Sequence, residues 1–250
     1  MKNLNFLSLA LIMILMTACD QQKNGTDAEV SEAKEVQDVN GSDTYAINTT
    51  ESAITWIGSK PTGKHNGTIP INDGSIAVED GKIVGGRIAM NINEISNDDL
   101  AGDQEMQLKL INHLRSPDFF DTENHPSAEF VITSVETYSK EDSVKVKKEF
   151  DSEYKPASAK EHMVESPTHK VTGNLTMRGK TLSVSFPANI KIQNNKVLAR
   201  AKFNIDRTLW GLQYNNEANV VDKAKDKFIY NTVNVGFDIS ATENSSISQN

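Results

Sequence analysis

The chain has 250 residues, and its 34 acidic residues outnumber 26 lysines and arginines, which gives a formal net charge of -8. This balance argues against a nucleic-acid partner, which would need clustered lysines and arginines to replace phosphate counterions. The single cysteine excludes internal disulfides and cysteine-rich zinc sites. Hydrophobic residues make up only 37% of the chain, so part of it is expected to lie outside any core.

The N-terminus has the order of a secretory signal. Lys2 precedes an apolar run over residues 4–16, and the small residues Thr17 and Ala18 follow that run. The run is shorter than the ~20 residues that span a bilayer. The stretch LMTAC resembles the bacterial lipobox, which predicts a signal peptide over residues 1–18 and a diacylated Cys19 as the first mature residue. An ordinary secretory signal with Cys19 nearby by chance is the alternative.

The lipobox interpretation places the protein in the bacterial cell envelope, anchored by lipid to a membrane and facing the periplasm or the cell surface. Residues 20–43 are acidic and contain no aromatic residue, so we expect residues 19–43 to form a lipidated, disordered tether. A coil of this length has an rms reach of ~25–30 Å. The charged stretch 139–168 is expected to be an insertion between strands, and residues 242–250 a polar tail.

Between these segments the apolar residues alternate, which is typical of half-buried strands. Alternating runs begin at Ile54 and Trp56 and continue through residues 84–92, 130–132, 171–177, 182–192, 197–205 and 229–239. The dipeptides Asp80-Gly81, Arg178-Gly179 and Asn194-Asn195 separate such runs and predict hairpins of antiparallel strands.

One segment departs from the alternation. Residues 99–114 fit a helical period and end at Ser116-Pro117, where a helix should stop. The sequence therefore predicts an all-β, mainly antiparallel fold with one short helix. A barrel and a sandwich are both possible for such a sheet. Glycines at 173, 211 and 236 favour a closed β-barrel of about eight strands, because glycine lets strands bend.

Four stretches, in this order, resemble the motifs of the YceI-like family. They are TYAINTTESAITWIG from Thr44, HLRSPDFFDTENHPSAEF from His113, VTGNLTMRGKTLSVSF from Val171 and FNIDRTLWGL from Phe203. The resemblance covers residues 44–241, and the insertion and the leader depart from it. It implies a lipocalin-like β-barrel in the periplasm that binds a polyisoprenoid or a fatty-chain lipid.

Large apolar residues at alternating positions are the candidate lipid-binding residues. They are Trp56, Ile88, Met90, Phe130, Phe186, Phe203, Trp210, Val235 and Phe237. An eight-stranded barrel is just wide enough to hold one small ligand, but alternation alone does not distinguish a dry core from a cavity. The resemblance implies a cavity, and the small residues Ala199, Ala201 and Gly236 are expected to leave room beside Phe203 and Phe237.

Two polar features allow both a functional and a structural interpretation. Arg207 is expected to lie inside an apolar strand, three residues before Trp210, and, if it is buried, needs carboxylate or carbonyl partners. It is either a clamp on a lipid head group, and then the tenth candidate lipid-binding residue, or a satisfied arginine that locks the strand. Residues 118–121 form either part of a cavity rim or a helix-ending turn anchored by Phe119 and Phe120.

No motif points to catalysis. The five histidines form no HxH or HExxH pattern, and the sequence has no GxSxG, P-loop or GxGxxG. We therefore expect no catalytic residue, no metal and no cofactor, and a lipid as the ligand. The main hypothesis is an anchored lipid-binding protein. The alternatives are a structural or interaction lipoprotein with a filled barrel and an enzyme acting on envelope lipids. The oligomeric state stays undetermined, with a homodimer possible.

Overall fold

The computed structural model describes residues 25–39, 42–139, 162–219 and 228–244. The strands in these ranges are β1 (Glu29–Glu32), β2 (Asp43–Ile47), β3 (Ala53–Lys60), β4 (Gly63–Glu79), β5 (Lys82–Asn91), β6 (Ser127–Thr137), β7 (His169–Met177), β8 (Lys180–Gln193), β9 (Lys196–Asp206) and β10 (Thr232–Glu243). The α-helix is α1 (Gln104–Arg115), and short 3₁₀ helices form at Ile92–Glu94, Arg207–Trp210 and Glu217–Asn219.

The strands form one antiparallel sheet that closes on itself. Consecutive strands pair from β4 through to β10. β2 and β3 lie end to end between β4 and β10 and together complete the ring. With β2 and β3 taken as one position, the barrel has eight strands. The prediction of an all-β, mainly antiparallel closed barrel with one short helix is therefore confirmed, and the sandwich is excluded.

The hairpin turns follow from local backbone preferences. At Asp80-Gly81, Arg178-Gly179 and Asn194-Asn195 both residues have positive φ, between 50° and 72°. Two successive residues of this kind form the turn whose twist matches that of the flanking strands. Glycine adopts this conformation without strain and asparagine tolerates it, so these dipeptides set the register of their hairpins.

Helix α1 overlaps the segment 99–114 that was predicted to be helical, but it begins five residues later and ends one residue later. The Asp103 carboxylate accepts a hydrogen bond from the backbone N–H of Met106 at 3.1 Å, which satisfies one of the free donors at the start of the helix. The helix ends at Arg115, directly before Ser116-Pro117. The predicted stop signal is confirmed.

The N-terminal segment differs from the predicted tether. β1 pairs antiparallel with residues 182–185 of β8. Just before β1, Asp27 forms a parallel bridge with Asn204 of β9. β8 and β9 pair directly only over residues 188–193 of β8, so the N-terminal segment fills the gap between these two strands.

Backbone hydrogen bonds explain why an acidic segment is ordered here. The Ala28 N–H donates to the Asn204 carbonyl at 2.9 Å, and the Asn204 N–H donates to the Thr26 carbonyl at 2.7 Å. The side chain of Asn174 exchanges two hydrogen bonds with the backbone of Lys34. An exposed strand edge pairs with the backbone N–H and C=O groups of another segment, and almost every residue carries both. The amino-acid composition of the N-terminal segment therefore does not reveal that it pairs with the barrel.

Several predicted segments lie partly or wholly outside the described residues. These include the signal peptide 1–18, Cys19, residues 140–161 of the insertion 139–168 and residues 245–250 of the tail. The tail begins later than the predicted residue 242, because Thr242 and Glu243 extend β10. Thr242 pairs there with Lys196 of β9.

Candidate functional site

The barrel encloses an apolar cavity of about 300 Å³ in the half next to α1, which we call the helix end. Every strand from β3 to β10 contributes side chains to its wall. This volume is at the lower limit of small-molecule sites. A cavity with such walls favours an apolar occupant over ordered water, because water needs polar partners.

Helix α1 and the turn after it cover the helix end of the cavity. Leu110 and Leu114 lie one turn apart on the same face of α1, and both line the cavity. Phe119 and Phe120 line it as well. The strands leave this end of the barrel open, and the two leucines of α1 and the two phenylalanines of the following turn close it.

The two interpretations of residues 118–121 both hold in part. Asp121 has a φ of 52° and accepts hydrogen bonds from the Asn124 amide, as expected in a turn. Asp118 Oδ2 lies 3.0 Å from His113 Nε2 of α1. The carboxylates thus build the turn, and the phenylalanines between them extend into the cavity lining.

The polar part of the lining lies at the β3–β4 hairpin. Lys60, Lys64 and His65 line the cavity there. Together with Arg207 they supply the ionisable groups of the lining, to which none of the described aspartates or glutamates contributes. This edge of the cavity is basic although the whole chain is acidic.

Asp99 fixes the hairpin from outside the lining. Burial raises the pKa of the Asp99 carboxyl, but hydrogen bonds from the Asn66 backbone and from the His65 and Asn97 side chains outweigh burial, so the net pKa lies below its usual value. The Asn66 N–H donates to Asp99 Oδ1 at 2.8 Å, and His65 Nδ1 lies 2.8 Å from Oδ2. Asp99 is therefore ionised at neutral pH and holds the basic hairpin in place.

Four phenylalanines form the bottom of this cavity. Their rings pack against one another with centroid separations of 4.0 to 5.8 Å: Phe130, Phe186, Phe203 and Phe237. Below them lies a second cavity of only about 40 Å³. The interior is therefore hollow at the helix end and nearly filled at the other.

Most of the predicted lipid-binding residues line the larger cavity. Eight of the ten do so, namely Trp56, Met90, Phe130, Phe186, Phe203, Arg207, Val235 and Phe237. Ile88 lies lower and lines the smaller cavity. Trp210 lines neither of the two; it is buried, and its Nε1 donates to the Leu175 carbonyl at 3.1 Å. Trp210 belongs to a 3₁₀ helix, where strand alternation does not predict side-chain direction.

Phe203 and Phe237 both line the larger cavity, but the small residues expected to leave room beside them, Ala199, Ala201 and Gly236, do not. Ala201 lines the smaller cavity, below the phenylalanines. Gly236 faces the outer surface, where an added Cβ would lie 2.4 Å from Thr55 Oγ1. The open space is instead beside Gly58, which lines the larger cavity and where an added Cβ would have no atom within 4 Å. Gly58 continues the inward alternation of Ile54 and Trp56. A glycine at such a position was a signal for open space that the sequence analysis missed.

Arg207 is buried at the edge of the cavity and bound by backbone carbonyls. Its Nε donates to the Tyr230 carbonyl at 3.1 Å, and its Nη2 donates to the carbonyls of Tyr214 and Ile229 at 3.0 and 3.1 Å. Its Nη1 donates to the Leu212 carbonyl. These four bonds correspond to the interpretation of a satisfied structural arginine.

The charge of Arg207 is retained in this position. Burial has the larger effect and lowers the pKa of its guanidinium, whereas the carboxylates of Asp206 and Glu217 raise it. An arginine nevertheless stays protonated at neutral pH. The guanidinium carbon also lies 5.9 Å from the centroid of the Phe119 ring, a favourable distance for a cation over an aromatic face. Arg207 thus ties the segment after β9 to the segment before β10.

Two properties of the described ranges bear on other functions. Residues 25–39, 42–139, 162–219 and 228–244 contain no group of three histidine, cysteine or acidic side chains placed to hold a metal ion. None of the helices in those ranges is long and apolar enough to cross a membrane. His65 and His113 each face one carboxylate, of Asp99 and Asp118.

Comparison with solved structures identifies the same barrel in other bacteria. BcnA from Burkholderia cenocepacia superposes with a TM-score of 0.53 and 15% identity, over 78% of this chain and 99% of BcnA. A polyisoprenoid binding domain from Saccharophagus degradans, implicated in plant cell wall breakdown, superposes with a TM-score of 0.52 and 14% identity, over 80% of this chain and 98% of that domain. At these identities the likeness concerns the fold alone.

Comparison of the sequence, in contrast to comparison of the fold, assigns the chain to a family. Comparison with curated protein sequences finds no match. The family model described as the YceI-like domain matches residues 45–241, from β2 to the end of the barrel in β10. Because this match includes most of the chain and nearly every strand of the barrel, the protein belongs to the YceI-like domain family.

Proposed function

We propose that the barrel binds a long-chain amphiphile, a polyisoprenoid or a fatty-acid-like lipid, with its chain inside the larger cavity. The observation that carries this proposal is an enclosed apolar space of about 300 Å³ in the barrel. The structure from Saccharophagus degradans, whose fold is similar, is described as a polyisoprenoid binding domain. The function is binding without a chemical step.

Burial of the chain is the main source of free energy for this function. Each methylene moved from water to apolar surroundings contributes about 0.8 kcal/mol. Ten such groups contribute roughly 8 kcal/mol, against an association cost of about 4–15 kcal/mol. A chain therefore binds usefully only if much of it is buried, and an amphiphile of moderate length meets this condition.

The charge of the lining supports one orientation of the ligand. Lys60, Lys64 and His65 lie at the β3–β4 hairpin, whereas the phenylalanines lie near the middle of the barrel. Phe237 is opposite Ile54 in β3, and Lys60 follows Ile54 by six residues, or about 20 Å along a strand. We therefore propose that the polar head group lies at the hairpin and the chain end at the phenylalanines.

The filled-barrel alternative agrees only with the lower half of the interior. Below the phenylalanines, isoleucines and valines leave about 40 Å³. At the helix end the inward position of Gly58 meets open space, which a solid core would not leave. The cavity therefore favours binding over a purely structural or interaction role.

A test uses the chain from Asp20 onward, which contains every described residue. It is produced in a bacterial periplasm and analysed by native mass spectrometry, where we expect an additional mass that corresponds to one lipid. After removal of lipid, the protein should bind a fluorescent fatty acid with one site per chain. The absence of both the lipid mass and the uptake of the fluorescent fatty acid would contradict the proposal.

We also propose that the signal peptide 1–18 is removed and that Cys19 carries the lipid anchor, which places the barrel at a membrane of the bacterial envelope, facing the periplasm or the cell surface. The LMTAC stretch supports this proposal. Gly25 already packs against Asn204 of the barrel, so the chain between Cys19 and the barrel spans at most about 20 Å. This is shorter than the reach expected of a free tether over residues 20–43 and keeps the barrel beside the membrane.

Cys19→Ser is expected to abolish acylation, because serine offers no thiol for the diacylglycerol group. Cells grown with an alkyne fatty acid should label the parent protein and the control Thr17→Ser, which keeps a small residue before the cleavage site. The Cys19→Ser protein should carry no label and should move from the membrane fraction to the soluble fraction. A parent protein that takes up no label would end the anchor proposal.

A further inference from the structure

We propose that Phe130, Phe186, Phe203 and Phe237 form a floor that sets the maximum length of lipid chain the barrel accepts. This inference rests on the proposed function and adds a chain-length limit to it. We call these four residues the phenylalanine floor.

Ring packing gives the floor its continuity across the barrel. Phe186 and Phe203 stack face to face, with their centroids 4.0 Å apart and their planes inclined by 10°. Phe237 lies 5.7 Å from each of these two rings. Phe130 lies 5.6 Å from Phe186 and 5.8 Å from Phe237. Because the rings come from β6, β8, β9 and β10, they join strands that do not all pair with one another.

The two cavities lie on opposite sides of this floor. Phe130, Phe186 and Phe237 line both the cavity of about 300 Å³ and the cavity of about 40 Å³. These rings are therefore the partition between the two spaces. The smaller cavity is lined by apolar side chains, among them Ile88 and Ile239. A chain end that passed the floor would enter apolar surroundings, so polarity does not oppose its passage; the rings and the small space below them do.

Gly173 shows that the backbone around the floor is shaped for the rings. An added Cβ at Gly173 would lie 2.4 Å from Cζ of Phe130 and 2.6 Å from the Val131 carbonyl oxygen. Any larger residue would displace the Phe130 ring. The ring thus rests directly on β7, in a recess that only glycine leaves open, and close packing of this kind resists displacement.

The floor predicts a defined dependence of affinity on chain length. Each methylene that becomes buried strengthens binding about four-fold at 25 °C. Across saturated fatty acids from C8 to C18 in steps of two carbons, affinity should rise by roughly 15-fold per step and then stop rising at one length. The length at which the rise stops is the measured quantity, and displacement of a fluorescent fatty acid measures it.

Phe237→Ala removes one of the two rings that contact all three others, and it should let the chain end into the smaller cavity. Affinity should then keep rising for at least one further two-carbon step, so that the next longer fatty acid binds roughly 15-fold more tightly. Ile239→Ala is the matched control. It lies two residues along β10 on the same inward face and lines the smaller cavity below the floor, so it should leave the limiting length unchanged.

Phe237→Leu provides a second variant if the alanine protein does not fold, because it keeps most of the apolar volume and removes only the flat ring. It should raise affinity for the first acid beyond the parental limit. If the parent and both Phe237 variants share one limiting length, or if Ile239→Ala shifts it equally, the floor does not set chain length, although lipid binding stands. If the parent binds none of the acids, the proposed function itself fails.

Discussion

Gly58→Phe is expected to weaken lipid binding roughly 200-fold while the barrel stays folded. The residue lines the cavity, an added Cβ there has no atom within 4 Å, and its φ is not in the left-handed region. A phenyl group that displaces four methylene groups of the ligand weakens binding by about 3 kcal/mol, or roughly 200-fold. The measurement is titration of lipid-free protein with a fluorescent fatty acid.

Stability of the same variant separates a cavity from a solid core. In a filled core the added ring would cost about 1–3 kcal/mol by overpacking. Replacement of glycine within a strand instead removes an entropy cost of about 0.5–1 kcal/mol. The denaturant midpoint of the lipid-free Gly58→Phe protein should therefore equal or exceed that of the parent.

Two control variants complete this test. Gly58→Ala should bind lipid nearly as well as the parent, because one methyl group occupies little of the cavity. Gly102→Phe adds the same ring at an exposed position where an added Cβ also meets open space, and it should leave binding unchanged. If Gly58→Phe unfolds the protein, or if it binds lipid like Gly102→Phe, the assigned position of the cavity is wrong.

Arg207→Met is expected to destabilise the barrel by about 3–5 kcal/mol, the usual cost of removing one partner from a buried charged network. The methionine fills similar space but leaves four backbone carbonyls without their donor. Each buried acceptor that loses its hydrogen bond costs about 1–3 kcal/mol. Chemical denaturation of lipid-free protein measures the loss as a lower midpoint.

Arg200→Met is the matched control on β9. Arg200 is largely exposed and pairs with Asp238 at 3.2 Å, so its replacement should change stability by no more than about 1 kcal/mol. The pair of variants also decides between the two interpretations of Arg207. An Arg207→Met protein with parental stability and lost lipid affinity would support a head-group clamp and contradict the structural role.

The alternating pattern predicted the barrel well because strand direction is a local property. In β10 the apolar residues at 233, 235, 237 and 239 face the interior, whereas Asp238 between them is exposed. The turn dipeptides likewise act on their own backbone. The same pattern did not distinguish Val235, which borders the open cavity, from Phe237, which is part of the phenylalanine floor.

Departures from the expected site arise where strand alternation ends. Arg207 and Trp210 were placed on a strand, but they lie in the 3₁₀ helix after it. In that helix Arg207 reaches the cavity edge, whereas Trp210 turns toward the Leu175 carbonyl. Leu110 and Leu114 of α1 also line the cavity, which the sequence analysis did not predict. Their four-residue spacing, which places them on one face of the helix, was the signal that could have predicted it.

The sequence by itself determined the positions of most strands, the helix, the hairpin turns and the family, because each of these depends on residues near one another in the chain or on motifs in order. Tertiary structure alone decided that, among the described residues, the barrel interior is open mainly at the helix end. It alone also decided that the N-terminal segment 26–32 fills the gap between β8 and β9 and that four carbonyls surround Arg207. These features depend on which side chains meet across the barrel. Phe130 and Phe237 are more than a hundred positions apart in the sequence, and only closure of the sheet brings their rings together.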